Sequence, residues 1–239
     1  MKIILKKIIR YSLIPLVFSD YLKYKKLDTN KRFNILLKDF YPQIKDRTIK
    51  TNIDTHYIYH TSWAARKVKE INPAKHVDIS SSLYFCGIIS TFIPIDFYDY
   101  RPADLKLSNL TSKYADLNKL PFPDNSIYSL SCMHTVEHVG LGRYGDPIDP
   151  DGDLKAINEL KRVLVKNGSL LFVVPVGQPK IEFDAHRIYS YEQILEYFQD
   201  LTLKEFSLIT DNGDFIENST KEKVQEQKYG CGCFWFIKK

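Results

Sequence analysis

The chain has 239 residues, 44% of them hydrophobic and 26% charged, with a net charge of +5. That length suits one large domain, or a domain with an appendage, and the composition excludes disordered and fibrous classes. Residues 1–50 carry thirteen Lys/Arg against four Asp/Glu, a local balance of +9, which leaves −4 for the remainder. A negative remainder argues against a nucleic-acid partner.

The excess of positive charge lies in "MKIILKKIIRYSLIPLVFSDYLKYKK". Its apolar run from Tyr11 to Phe18 is too short to span a bilayer and is interrupted at Pro15. It has no small-residue cleavage site, so a signal peptide is not expected. A basic segment mixed with Ile, Leu, Phe and Tyr suits either peripheral contact with an anionic membrane through residues 1–26 or a solvated helix packed on the domain. The expectation is a basic helical segment over residues 1–50 and an α/β domain over 51–239. The protein is expected in the cytoplasm, peripheral at the inner face of the membrane where that contact is made.

In chain order, "KRFNILLKDFYPQI" predicts a short amphipathic helix ended near Pro42. "YIYHTSWAARKVKEINP" predicts a helix that stops before Pro73. "KHVDIS" reads as a strand and "SLYFCGIISTF" as a buried helix. "IPIDFYD" is a second strand ending in acid. A short edge strand is expected before Asp116, and "IYSLSCM" is another buried strand. "DLKAINELKRVLVKNG" predicts a helix with Leu154, Ile157, Leu160, Val163 and Leu164 on its apolar stripe, stopped at Gly168. Asp149 would cap it, with Pro150 at its first position. "SLLFVVPVG" has the apolar continuity of a central strand. "SYEQILEYFQD" carries a capping box of Ser190 and Gln193. "LTLKEFSLI" and "GCFWFIKK" close the pattern as strands. Alternating strands and helices imply a mostly parallel sheet covered on both faces, with ligands outside the carboxyl ends of the strands.

Four cysteines show no disulfide spacing. Cys86 and Cys132 read as reduced core residues. Cys231 and Cys233 would share one face of a strand, which reads as packing, with a metal pair lacking its other ligands as the alternative. His134, Glu137 and His138 do not have the zincin spacing. Asp149, Asp151 and Asp153 begin like a calcium loop but lack its twelfth-position glutamate. No metal is therefore expected.

"ADLNKLPFPDNSIYSLSCMHTVEHV", "INELKRVLVKNGSLLFVVPVG" and "AHRIYSYEQILEYF" resemble the class I S-adenosylmethionine-dependent methyltransferases, over about residues 74–239. "EHVGLGRYGDPIDPDGDLKAI", "DFIEN" and "YGCGCFWF" look more closely like a methyltransferase-like family catalogued as a domain of unknown function (number 268), often found among bacterial surface-polysaccharide genes. The resemblance implies a Rossmann-like sheet with an antiparallel last strand and S-adenosylmethionine as cofactor. The cofactor residues it implies are Asp78, Ser80 and Ser82 after the first strand, Asp96 on the second for the ribose hydroxyls, and Asp116 with Leu117 for the adenine. The superfamily places glycines where this chain has Ser80-Ser81-Ser82, and serine resists positive φ.

The stretch from His134 to Arg143 and the stretch "FDAHRIYS" are expected on the same edge. His134 or His138 would act as base, oriented by Glu137, and Arg143 would grip a carboxylate or phosphate. His186 and Arg187 would form a second rim. The expected reaction is methyl transfer to a small-molecule or glycan acceptor, such as a surface polysaccharide or sugar nucleotide. The alternative is a non-catalytic Rossmann-like module in a membrane-associated glycan-synthesis assembly.

Overall fold

The structure is a computed structural model that describes residues 13–44 and 46–239. The chain divides into two compact units, residues 1–53 and residues 54–239. The basic leader before residue 13 lies outside the described residues.

In the first unit, α1 (Ile14–Leu27) has Pro15 in its first turn and Lys25 and Lys26 in its last, and buries no residue. Phe18, Tyr21 and Phe40 form an aromatic trio with centroids 5.6–5.8 Å apart. The helix expected from "KRFNILLKDFYPQI" is absent, and a 3₁₀ turn at Leu37–Asp39 stands in its place. Phe33, Leu36 and Leu37 are exposed, and a short helix with no surface to pack on is marginal.

The second unit begins with Asp54, whose side chain accepts a hydrogen bond from the Tyr57 backbone N–H and starts α2 (Thr55–Ile71). Asn72, at φ 48°, ends it before Pro73. Seven elements follow: β1 (His76–Ile79), α3 (Leu83–Ile89), β2 (Ile95–Asp99), β3 (Leu110–Tyr114), β4 (Ile127–Met133), α4 (Gly152–Val163) and β5 (Leu164–Val176). A hairpin of β6 (Lys180–Glu182) and β7 (His186–Ile188) precedes α5 (Tyr191–Tyr197), which carries the expected capping box. β8 (Leu201–Ile209), β9 (Phe215–Ile216), α6 (Lys221–Gln225) and β10 (Gly230–Lys238) complete it.

The sheet order is β3-β2-β1-β4-β5-β10-β8-β9. β3 through β5 run parallel, and β10 enters antiparallel between β5 and β8. β5 is buried on both faces: Leu170, Phe172 and Val174 face the α4 and α5 cluster, while Leu171 and Val173 face that of α2 and α3. This two-sided burial is why its sequence reads as an unbroken apolar run. β10 alternates in the same way, and Cys231, Cys233 and Trp235 share the α2 side. All four cysteines are free and buried.

Two expected boundaries move. α4 ends at Val163, because Leu164 already pairs with Ile127 of β4. The Leu164 carbonyl also accepts a hydrogen bond from Lys238 at 2.7 Å, so strand pairing overrides local helix propensity. Asp149 does not cap α4. The helix starts two residues later, and the Asp149 carboxylate accepts the Asp151 N–H and pairs with Lys155 at 2.5 Å.

A polar ladder runs under the sheet between β1 and β4. His76 sits between the hydroxyls of Ser129 at 2.7 Å and Ser131 at 2.9 Å. Ser131 donates to Asp78, so it accepts from His76 Nε2–H, and Nδ1 accepts from Ser129. Burial pulls the His76 pKa down to about 3. The unfolded chain protonates this histidine below about pH 6.5 and the folded one does not, so acidification favours unfolding. Urea unfolding should therefore show the wild type losing about 2 kcal/mol more than His76→Gln between pH 6.5 and pH 5. Parallel losses in the two proteins would remove His76 from the acid response.

Candidate active site

At the carboxyl edge of the parallel strands lies a cleft of about 460 Å³. It is walled by Ser80–Ser82 after β1, Asp99–Arg101 after β2, Ala115–Asn118 after β3, and Met133–Thr135 after β4. Ser80 takes φ 57°, the left-handed conformation that glycine adopts freely. Its N–H and hydroxyl both donate to the Tyr98 carbonyl, at 2.7 and 3.2 Å. Its own carbonyl accepts from Thr135 at 3.0 Å. These bonds offset a cost of roughly 1 kcal/mol for a non-glycine residue there. The serine loop keeps the course that glycines would take, and the cleft beside it stays open.

Asp78 lies under this loop and does not touch the cleft. It is fully buried, accepts the Ser81 N–H at 3.0 Å and the Ser131 hydroxyl, and burial raises its pKa to about 6. Its expected contact with a cofactor is replaced by a positioning role. Asp96 is also displaced from expectation. It is the second residue of β2, bonded to Thr111 at 2.6 Å and paired with Lys75, away from the carboxyl edge. Asp99 ends that strand and lines the cleft. Asp116 and Leu117 line it, as do Ser80 and Ser82.

A second, more polar pocket adjoins the first. His134, His138, Tyr57 and Tyr144 line both. Five of the six histidines gather here. The His134 ring lies 5.8 Å from that of His56 and 5.0 Å from that of His60, and His138 lies 6.4 Å from His186. Glu137, on a 3₁₀ turn at Val136–His138, is 1% exposed. Its Oε1 accepts from His134 Nδ1 at 2.9 Å, and its Oε2 has no partner among the described residues. Burial raises the Glu137 pKa to about 7 and lowers that of His134 to about 4.

His138 Nδ1 donates to the Ala185 carbonyl at 2.6 Å. That fixes the tautomer and leaves Nε2 as a lone pair, 3.8 Å from Glu137 Oε1. Burial lowers its pKa below the ordinary value, against the pull of Glu137. Arg143 donates to the same carbonyl at 2.9 Å, and its 3.2 Å approach to His138 Nδ1 is not a hydrogen bond in this tautomer. His186 lines the second pocket beside Tyr229, with ring centroids 4.8 Å apart.

Arg187 does not line either space. It is 5% exposed and donates to the Val139 carbonyl at 2.6 Å and the Pro150 carbonyl at 3.3 Å, with Asp153 at 3.5 Å. It straps together both ends of the loop between β4 and α4. Within that loop the Gly140 N–H donates to Asp146 at 2.8 Å. Tyr144, at the tip, lies between the guanidinium groups of Arg101 at 4.5 Å and Arg143 at 5.2 Å.

Sequence reasoning missed Asp99, Arg101, Tyr57, Tyr144, Tyr229 and the pair His56 and His60. The histidine pair left a signal in its i, i+4 spacing, but the expected helix begins at Tyr57 and so leaves His56 outside, whereas the observed helix starts at Thr55 and puts both rings on one face.

The sheet order, the antiparallel β10 and the ligand edge define the class I S-adenosylmethionine-dependent methyltransferase fold. The YcgJ protein from Bacillus subtilis is similar, with TM-score 0.53 at 13% identity, covering 76% of this chain and 99% of that one. The N-methyltransferase NodS from Bradyrhizobium japonicum WM9, solved with S-adenosylhomocysteine, has TM-score 0.52 at 12% identity, covering 78% and 89%. At such identities the likeness establishes the fold alone. The chain belongs to the family described as "Caenorhabditis protein of unknown function, DUF268", whose profile matches residues 100–225. No curated protein matches the chain.

A Cβ at Gly140, where φ is +80°, would stand 2.0 Å from the Asp149 carbonyl oxygen. Gly140→Ala should displace the loop, destabilise by about 2 kcal/mol, and speed tryptic cleavage at exposed Arg143. Unchanged proteolysis would mean that the loop tolerates the methyl group.

Proposed function

We propose that the chain binds S-adenosylmethionine in the cleft and methylates a polar acceptor held in the adjoining pocket. The observation that carries this is the shared wall: His138 stands between a cleft lined by strand-end acids and a pocket lined by imidazole, carboxylate and guanidinium. The cleft's residues fit the cofactor. Asp99 is placed to accept ribose hydroxyl bonds, Asp116 and the Leu117 backbone to meet the adenine, and the Ser80–Ser82 backbone to approach the methionine portion. The bound cofactor supplies an electrophilic methyl group.

The protein's own contribution is positioning and proton transfer. His138 is neutral at pH 7 and its Nε2 is free to take the acceptor's proton. Glu137 then lies beside the resulting imidazolium. His134 is a poorer base than the sequence suggested, since Glu137 holds its Nδ1 and Cys231 Sγ covers its Nε2 at 3.3 Å. Arg143 offers its remaining donors to an anionic group. Tyr57, Tyr144 and Tyr229 give aromatic faces among these polar groups, which favours a sugar-containing acceptor such as a polysaccharide unit or sugar nucleotide.

Contact with an anionic membrane surface is supported by α1. It exposes Leu16, Phe18, Leu22 and Leu27 alongside Lys23, Lys25 and Lys26. Among the described residues, no helix is long and apolar enough to cross a membrane.

Calorimetry with S-adenosylhomocysteine tests the cofactor reading. Asp99→Ala should weaken binding about tenfold or more, at a cost near that of one charge-assisted hydrogen bond. Asp96→Ala, remote from the cleft, should leave it within about twofold. Complete absence of binding by folded protein would favour the non-catalytic module instead. Once an acceptor turns over, His138→Ala should lower kcat by about 10²–10⁴ with cofactor affinity kept. An unchanged kcat would remove His138 as base.

A further inference from the structure

Behind the second pocket, three groups that methyl transfer leaves unused meet from distant parts of the chain. His56 comes from the first turn of α2, His134 from the end of β4, and Cys231 from the start of β10. Their ligand atoms all lie within 4.8 Å of one another. His134 Nε2 is 3.3 Å from Cys231 Sγ, and Nδ1–H is held by Glu137 at 2.9 Å. The carboxylate thereby fixes the tautomer that leaves Nε2 as a donor to a metal, the usual arrangement behind a metal-bound histidine.

Two further observations belong to the same place. His134 takes φ 54°, strained for a residue with a side chain. Glu137 is buried, and its Oε2 is unpartnered among the described residues. Tetrahedral zinc bonds of about 2.0–2.3 Å place neighbouring donors roughly 3.3–3.8 Å apart. The His134–Cys231 pair already has this spacing, and the widest pair needs to close by roughly 1 Å.

We propose that His56, His134 and Cys231 bind one divalent ion of the zinc class, with its fourth coordination position open to the second pocket. Binding forms a metal–sulfur bond and releases the Cys231 thiol proton to solvent, with no change of oxidation state. The thiolate and the Glu137 carboxylate together match the two positive charges, which limits the penalty of burying the ion. His56 and His134 line the pocket, so the ion has a way in. Three protein ligands and an open position distinguish zinc sites that receive a substrate from closed structural ones. A polar oxygen of the acceptor would occupy that position. This last point rests on the acceptor reading of the pocket, whereas ion binding does not.

The test strips full-length protein with a chelator and titrates it with cobalt(II), the spectroscopic stand-in for zinc. One equivalent should bind, with strong visible bands of a four-coordinate site and a near-ultraviolet thiolate-to-cobalt band, both lost on adding zinc. Cys231→Ser should abolish the thiolate band and Cys86→Ser should keep it. His56→Ala, at a partly exposed helix position, reads the site should Cys231→Ser fail to fold, and should weaken cobalt binding roughly tenfold or more. Glu137→Gln should weaken it about 10–100-fold. No saturable binding by the folded wild type, or a thiolate band that survives Cys231→Ser, overturns the site and leaves His134 and Cys231 as a simple S–H···N pair. S-adenosylhomocysteine binding is read separately on the same metal-free protein. Cofactor binding without cobalt binding refutes the ion alone, and cobalt binding without cofactor binding refutes methyl transfer alone.

Discussion

The Asp78 carboxylate, buried between β1 and α3, is the constraint on which the ligand edge depends. It accepts the Ser81 N–H and the Ser131 hydroxyl, and Ser131 in turn accepts from His76. Ser81 returns the connection, because its hydroxyl accepts the Met133 N–H at 3.0 Å. One chain of hydrogen bonds thus ties the loop after β1 to the end of β4. Those are the two places where the cleft needs a fixed backbone. Serines stand here at little cost because the Ser81 hydroxyl belongs to this network and that of Ser80 donates to the Tyr98 carbonyl. The loop's shape comes from satisfied buried polar groups rather than from absent side chains.

The division into cleft and second pocket follows from a single loop. Between β4 and α4 the chain makes a detour that brings Tyr144 over the edge and leaves His134 and His138 at its base. The hairpin of β6 and β7 closes the other side with Ala185 and His186. The Ala185 carbonyl receives both His138 and Arg143, so one backbone oxygen aligns the base candidate and the anion-binding candidate. Five histidines packed this closely avoid mutual repulsion because burial keeps His56, His60 and His134 neutral, at pKa values of about 4, 3 and 4.

The architecture was legible in the sequence because its strands are either buried on both faces or bounded by turn residues. The apolar run of β5 and the Ser190 to Gln193 box are local signals, and local signals survive folding. Errors arose where distant pairing decides the outcome. "IPIDFYD" holds two acids, and Asp99 reaches the carboxyl edge because it ends the strand, while Asp96 stands at its second position. Leu164 fits a helix stripe until β4 claims it. Arg187 looks like a rim residue because sequence cannot distinguish an exposed guanidinium from one spent on two loop carbonyls. The meeting of His56, His134 and Cys231 joins three distant segments, and nothing local announces it.

The strap formed by Arg187 has a further consequence. By gripping Val139 and Pro150 it closes the intervening segment into a ring whose neck is pinned from outside the loop. Asp146 ties the far side of the ring back to that neck by accepting the Gly140 N–H, so a change there must keep an acceptor for that donor. Within the ring, an exchange of the Tyr144 side chain would alter the wall shared by the two pockets while leaving both of these ties in place.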